Sequence, residues 1–293
     1  MKQIYPRPLG DMPLGFFKKI IDGLDAFSPA KIKRVQLFKD GEPLLHSEFI
    51  EMVQYAKASP AIIEVDTTTN ASLLDADMAE KIILAKLDSI RISFEGAVEN
   101  EAYRRITRSK YRYDDIKHNL YLLAEAKKKH KSRVPYIEAK LVDIGIPSKL
   151  KEKFTKDFSG IADEITFDPL VDRKGGSGRV LRGEKELVPA WVCPVPFYGL
   201  AVNFNGSVCI CCGDWNYTTL VGDLNRESLY DIWHGDRLHA FRKMQVELRK
   251  FEHPLCAKCE YMRRLSWESN IDKASLENPQ RILRRLKCGA EKN

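Results

Sequence analysis

The sequence predicts an α/β fold: a parallel sheet covered by helices, then a small C-terminal cysteine-rich domain made of a β-hairpin and a helix. Three observations predict it. Helix-period segments alternate with short apolar runs through the first 170 residues, as βαβ units require. From Asp172 to Ala190 the alternation dissolves into "DRKGGSGRVLRGEKELVPA", a glycine-bearing, mixed-charge run that reads as a connection between domains. All seven cysteines lie beyond residue 192, four of them inside "CPVPFYGLAVNFNGSVCICC", residues 193–212. The division expected is therefore 1–171 for the α/β domain, 172–190 for the connection, 191–265 for the cysteine domain and 266–293 for a basic tail.

The elements follow in order. Leu14, Phe17, Ile21 and Leu24 recur at helical spacing, and Val35-Gln36-Leu37-Phe38 is a short strand. Phe49, Ile50, Val53 and Ala56 mark a second helix, followed by the strand Ile62-Ile63-Glu64-Val65. Ile82, Ile83 and Leu87 mark a third helix before the strand Ile90-Arg91-Ile92-Ser93. A longer helix runs from about Asp114 through Ile116, Leu120, Leu123 and Ala126. Tyr136 to Val142 and Glu164 to Phe167 complete five strands. In the tail, Ile282, Leu283 and Leu286 fit one face of a terminal helix. A parallel sheet of this kind places its working residues at the carboxyl ends of its strands.

Composition narrows the function classes. The net charge of +7 comes from 48 basic against 41 acidic residues, an excess too dispersed to argue for nucleic acid. The run Lys127 to Lys131, with Arg133, is the solvated end of a helix, where cations favour the carbonyl terminus. The N-terminal "MKQIYPRPLGDMP" has no apolar core of a signal peptide, and no apolar stretch reaches the roughly 18 residues of a membrane span. No membrane association and a cytoplasmic, reducing environment are expected. An odd cysteine count argues against a disulfide framework and leaves metal as the use for the thiols.

The cysteine region has readable geometry. Asn205-Gly206, flanked by Leu-Ala-Val-Asn-Phe and Ser-Val-Cys-Ile-Cys, predicts a two-residue hairpin turn that pairs Phe204 with Ser207 and Leu200 with Cys211. Cys256-Ala-Lys-Cys259 is a second cluster of thiols, whose spacing turns both sulfurs to one side. Cys193, Cys211, Cys256 and Cys259 thus offer four thiolates from three pieces of chain, with Cys212 as alternate to Cys211. Cys209 is expected to pack as a small buried hydrophobe. Four thiolates suit a structural zinc or a four-iron cluster equally, and spacing alone leaves the two open.

The order C-P-x-P-F, N-G-x-V, C-C, V-G-D-L, S-L-Y-D-I-W and C-x-x-C resembles the C-terminal auxiliary-cluster domain of radical S-adenosylmethionine enzymes, called SPASM in its long form and twitch in its short form. Separations of 18, 45 and 3 positions among the four cysteines resemble the one-cluster twitch arrangement. The N-terminal half carries matching signals. Leu37-Phe38-Lys39-Asp40-Gly41-Glu42-Pro43-Leu44-Leu45 resembles the G-G-E-P-L-L segment that holds the methionine moiety of the cofactor. Thr69-Asn70-Ala71 resembles T-N-G with alanine for glycine, and Ser93-Phe94-Glu95-Gly96 resembles S-x-D-G with glutamate for aspartate. The resemblance implies a partial TIM-like parallel β/α barrel and a site for S-adenosyl-L-methionine at Gly41, Glu42, Pro43, Asn70 and Ser93. It also implies one auxiliary [4Fe–4S] cluster on the four cysteines.

One departure stands out. The family's C-x3-C-x2-C motif, which holds the catalytic cluster after the first barrel strand, has no counterpart, because no cysteine precedes Cys193. The barrel is therefore expected to lack its first strand, with an exposed edge at Val35 to Phe38. An N-terminal truncation at an internal methionine and a natural degenerate form both account for it. The resemblance implies an oxidoreductase or a peptide- or sugar-modifying enzyme in which reductive cleavage of S-adenosylmethionine yields a 5′-deoxyadenosyl radical. Expected partners are a sugar, aminocyclitol or peptide substrate, facing Asp168 or Asp172, and an electron-donor protein. No individual catalytic residue is assigned. The alternative is a non-catalytic iron–sulfur or zinc protein, an electron carrier or a partner-binding module; a zinc-stapled nucleic-acid binder ranks last.

Overall fold

The computed structural model describes residues 8–170, 192–257 and 259. The expected terminal helix at Ile282 to Leu286, the whole connection 172–190, Asp172 and Cys288 lie outside them. The chain divides into two compact units, one of residues 14–170 and one joining 1–13 to 171–293. In the second unit Gly10 lies so near the Phe204 ring that a side chain at Gly10 would overlap it.

The first unit alternates helices and strands: α1 (Leu14–Asp22), β1 (Ile32–Gln36), α2 (Phe49–Ala58), β2 (Ile62–Thr69), α3 (Ala76–Leu84), β3 (Ser89–Phe94), α4 (Asn100–Thr107), α5 (Tyr113–Lys129), β4 (Tyr136–Asp143), α6 (Ser148–Phe158) and β5 (Glu164–Pro169). The five strands are parallel and run in sequence order, the order of an opened β/α barrel. Strand β1 is an edge, and its residues are half-buried or exposed.

The two faces of the sheet differ. On one, Val65, Ile90, Ile92, Phe94, Ile137, Ala139 and Leu141 have no exposed surface, and helices supply Val53, Ile82, Leu120 and Phe154 to the same core. Phe94, Tyr113, Phe154 and Phe158 form an aromatic cluster with ring centroids 4.7–6.5 Å apart. The other face carries charge in register: Arg34 opposite Glu64, Arg91 opposite Glu138, and Ser93 opposite Lys140. Parallel sheets are ordinarily apolar on both faces, so a polar face marks the side that meets water or a polar ligand.

The amino-terminal rim is tied down by a repeated device. Asp88, just before β3, accepts from the Val65 N–H at 2.7 Å and from Lys57 Nζ at 2.6 Å. Asp163, just before β5, accepts from the Ile137 N–H and Lys127 Nζ, both at 2.7 Å. Each carboxylate joins a strand to the helix packed beside it and satisfies a backbone donor at the sheet's start.

The second unit contains α7 (Val195–Tyr198), a three-stranded antiparallel sheet of β6 (Ala201–Val202), β7 (Ser207–Cys209) and β8 (Leu220–Asp223), then α8 (Leu229–His234), α9 (Asp236–Val246) and α10 (Pro254–Ala257). A hairpin and a helix were expected; a third strand and further helices join them. The hairpin register also differs from expectation by one residue. Val202 pairs with Val208 and Ala201 with Cys209, not Phe204 with Ser207. The turn has three residues, because Gly206 takes φ 88° and donates its N–H to Asn203 O at 2.9 Å. A left-handed glycine closing a three-residue loop is as natural as a two-residue turn, and buried Asn203 fixes the choice by donating from Nδ2 to Ser207 O at 3.0 Å.

Two features position α8. Ser228 and Asp231 form a reciprocal capping box at its start. Gly222 of β8 lets Ile232 approach so closely that an added Cβ would lie 2.4 Å from it. This glycine belongs to the V-G-D-L element, and close helix–strand packing is its reason.

Candidate cofactor rim and cysteine centre

The carboxyl ends of β1, β2 and β3 gather the first group of sequence-predicted residues. Gly41 leaves β1's loop with φ 94°, and Glu42 caps the short 3-10 turn Pro43–Leu45. Its Oε1 accepts from the Leu44 N–H at 3.0 Å and from Thr69 Oγ1 at 2.5 Å, and its Oε2 accepts from the Asn70 N–H at 2.8 Å. The carboxylate is thus locked to the end of β2. An ionised carboxylate offers about four acceptor positions, so three donors leave room on Oε2 for one further N–H.

Asn70 follows Thr69, which pairs with Ile92; the same register carries Asn70 beside Ser93. Ser93 Oγ donates to Glu95 Oε1 at 3.0 Å. Gly41, Glu42, Asn70 and Ser93 therefore share one rim of the sheet. Ala71, where the resembled motif has glycine, keeps a left-handed φ of 56°, and its carbonyl accepts from Asn119 Nδ2 at 2.8 Å. Gly96 also has positive φ, 71°. All three strand-end loops turn back through one left-handed residue, which brings backbone close to the rim.

Sequence reasoning missed Tyr103. It sits on α4 and is 2% exposed. Burial first, then the charges of Glu95 and Glu42, push its phenol far up, so it stays protonated beside two rim carboxylates. Its helix, "NEAYRRIT", has one buried position amid charge, and no periodicity signals it. Farther along the polar face Lys140 Nζ lies 3.4 Å from Asp168 Oδ2, which places Asp168 near the carboxyl end of β5.

The cysteines divide by environment. Cys209 is fully buried in β7, with Asn203 Nδ2 3.4 Å from its sulfur. Cys212 is exposed, whereas Cys193, Cys211, Cys256 and Cys259 are half-buried. Burial pushes the Cys193 thiol up to about 11, with the Cys259 charge adding to it. It pushes Cys256 up to about 12, with Cys193 and Cys259 adding. The Cys211 thiol is pushed far up, first by hydrogen bonding with Cys212, then by burial, and it also senses Cys193. The four half-buried thiols thus lie within electrostatic reach of one another. The Cys259 N–H donates to Cys256 O at 3.3 Å, holding the C-x-x-C pair in a single turn. Among the described residues no three His, Cys, Asp or Glu side chains stand at metal-ligating distances.

The loop between Cys212 and β8 is held by a residue the motifs did not indicate. Asp214, 1% exposed, accepts from Thr218 N and Oγ1 at 3.0 Å and from Thr219 N and Oγ1 at 2.6 and 2.7 Å. Burial acts to raise its pKa, but these hydrogen bonds hold it below the usual carboxylate value. The Gly213 N–H donates to Cys211 Sγ at 3.2 Å, a backbone donor placed on that sulfur.

Comparison with known proteins defines the class. The radical SAM superfamily model matches residues 8–138, and the SPASM model, an iron–sulfur cluster-binding domain, matches residues 193–260. Among curated relatives, a GTP 3′,8-cyclase of Chlorobaculum tepidum is 41% identical over 71 residues, covering 24% of this chain and 21% of its own length. An S-adenosyl-L-methionine-dependent 2-deoxy-scyllo-inosamine dehydrogenase of Niallia circulans is 34% identical over 67 residues, covering 23% and 27%. These matches span only about a quarter of the relatives. Solved structures match more broadly. BtrN in complex with AdoMet and 2-DOIA superposes with TM-score 0.56 at 18% identity, covering 87% of this chain and 82% of that one. Native anSMEcpe with bound AdoMet gives 0.62 at 13% identity, covering 97% and 94%. Identities this low speak to the fold.

The fold and both family matches define a radical S-adenosylmethionine protein with an appended iron–sulfur domain. This chain belongs to the radical SAM superfamily and carries a SPASM domain. Its cofactors are accordingly an iron–sulfur cluster and S-adenosyl-L-methionine. The donor types present suit both groups, sulfur for iron and a backbone rim with a spare carboxylate position for an amino acid's ammonium, although the four sulfurs are not gathered at ligating distances. No described helix is long and apolar enough to cross a membrane.

Proposed function

We propose that these 293 residues supply the S-adenosylmethionine rim and the auxiliary-cluster domain of an oxidoreductase or a peptide- or sugar-modifying enzyme. The observation that carries this reading is Glu42, whose carboxylate is fixed by Leu44, Thr69 and Asn70 at the rim shared with Ser93. Gly41, Glu42 and Pro43 hold the methionine end of the cofactor, Asn70 orients it, and Ser93 meets its ribose. Cys193, Cys211, Cys256 and Cys259 hold one [4Fe–4S] cluster, a set favoured over Cys212 because Cys212 faces solvent. When bound, that cluster supplies one-electron chemistry. The polar sheet face suits a hydroxylated or peptide substrate, with Lys140 on β4 and Asp168 near the end of β5. The working division is 1–171 for the partial barrel and 191–265 for the cluster domain.

A second reading rests on one specific observation: residues 1–192 contain no cysteine. Cleavage of the cofactor requires a cluster with an open iron, and a four-cysteine site leaves none open. The 293-residue polypeptide by itself therefore acts without radical chemistry, as a cofactor-binding and electron-carrying protein. The test is calorimetric titration with S-adenosylmethionine, alongside an assay for 5′-deoxyadenosine after reduction. The expected result is binding that weakens at least about tenfold in Glu42→Ala, the loss of one charge-assisted hydrogen bond, with no 5′-deoxyadenosine formed. Equal binding by Glu42→Ala contradicts the rim, and catalytic 5′-deoxyadenosine contradicts the second reading.

A further inference from the structure

Asp66 sits midway along β2 on the polar face of the sheet and is 7% exposed. Its Oδ2 accepts from Gln36 Nε2 at 3.3 Å and lies 3.4 Å from Arg34 Nε. Its Oδ1 is buried and meets no hydrogen-bond donor. A buried carboxylate with a bare oxygen is costly, because nothing replaces the water it gave up. Such a group calls for a specific reason. Burial pushes the Asp66 carboxyl up, with Glu64 adding to it, against the pull of Gln36, Arg34 and Arg91.

The charges around it do not balance. Arg34 donates from Nε and Nη2 to Glu64 Oε2 at 2.9 and 2.7 Å, and Arg91 donates from Nε to Glu138 Oε2 at 2.6 Å. Two guanidiniums thus face three carboxylates, and Asp66 is the carboxylate left over. The partner it lacks is a cation with N–H groups to donate. Room for one is made at little cost. Arg34 has a 46% exposed side chain, and its contact with Asp66 is longer than both of its contacts with Glu64. It can withdraw to Glu64 and keep that ion pair.

We propose that Asp66 anchors an ammonium subsite on the polar sheet face, where it accepts from the protonated primary amine of the substrate after Arg34 has withdrawn to Glu64. This rests on the reading of that face as the side that holds substrate, and it narrows hydroxylated or peptide substrates to amine-bearing ones. An ammonium carries three N–H donors and adds the single positive charge that the face lacks.

The experiment uses the full chain, reconstituted without oxygen and titrated by ligand-observed NMR. One pair of probes is cyclohexylamine and its neutral match cyclohexanol. A second pair, Nα-acetyl-lysinamide and Nα-acetyl-norleucinamide, separates a lysine side chain from a ring amine. The wild type is expected to bind the amine of at least one pair about tenfold more tightly than its neutral match, the effect of one charge-assisted hydrogen bond. Asp66→Asn is expected to erase that preference, and Arg34→Gln, which removes the competing cation, to strengthen it. Equal binding within both pairs, or an amine preference that survives Asp66→Asn, overturns the proposal while the face remains able to hold substrate. No binding of any probe overturns the proposal and that reading of the face together. The urea midpoint of Asp66→Asn shows whether that variant folds. Where it does not, Arg34→Gln decides, and unchanged or weakened amine binding there overturns the proposal.

Discussion

Cys193 and Cys256 lose hydration on folding, and burial pushes their thiols up to about 11 and about 12. Both are therefore protonated at neutral pH in the metal-free protein. A metal takes thiolates, so loading must expel these protons, and apparent affinity must rise with pH until the thiols ionise unaided. With cobalt(II) as a spectroscopic probe of thiolate ligation, affinity is expected to climb by at least about three orders of magnitude per pH unit between roughly pH 6.5 and 8.5, one proton for each of Cys193, Cys256 and Cys211, whose thiol is pushed up as well. A flat profile contradicts ligation by these residues. Cys212→Ala is expected to retain the signal and Cys211→Ala to lose it; the reverse pattern would move the ligand to the exposed thiol. At the same scale, Glu42 was singled out by its Gly-Glu-Pro motif at a strand end, while its hydrogen bonds with Leu44, Thr69 and Asn70 came from the fold. Tyr103, Asp214 and Asp66 were not, since each acts through contacts with residues distant in sequence or through a turn no motif marks.

Strands β2 to β5 could be read from the chain because apolar runs bounded by turns are visible without tertiary information. Helices α4 and α6 could not. Their sequences are mostly charged, and they bury only Tyr103 in one case, Phe154 and Phe158 in the other, so the partner surface determines them. The hairpin register slipped by one residue because Asn205-Gly206 suits two-residue and three-residue turns alike, and buried Asn203 arbitrates between them. Strand β8 depends on Gly222, whose missing side chain admits Ile232. Gly222→Ala is expected to destabilise the C-terminal unit by about 1–3 kcal/mol, the usual range for overpacking a tight contact. Urea unfolding of the reconstituted protein checks it. No change in midpoint would mean that α8 shifts freely on the sheet, against the close packing described.

Across the whole chain, the two family matches fall on the two halves that the sequence alone distinguished. The barrel half carries a polar sheet face and a rim of left-handed turns; the cysteine half carries half-buried thiols from three segments. Spacing left zinc and iron–sulfur equal, because tetrahedral sulfur ligation serves both. The account depends most heavily on the cluster. Anaerobic reconstitution followed by iron, sulfide and zinc analysis of the wild-type chain and the Cys193→Ala, Cys256→Ala double variant tests it directly. The prediction is about four irons and four sulfides per wild-type chain, with both lost in the double variant. Stoichiometric zinc without sulfide in the wild type, or full iron in the double variant, would contradict it.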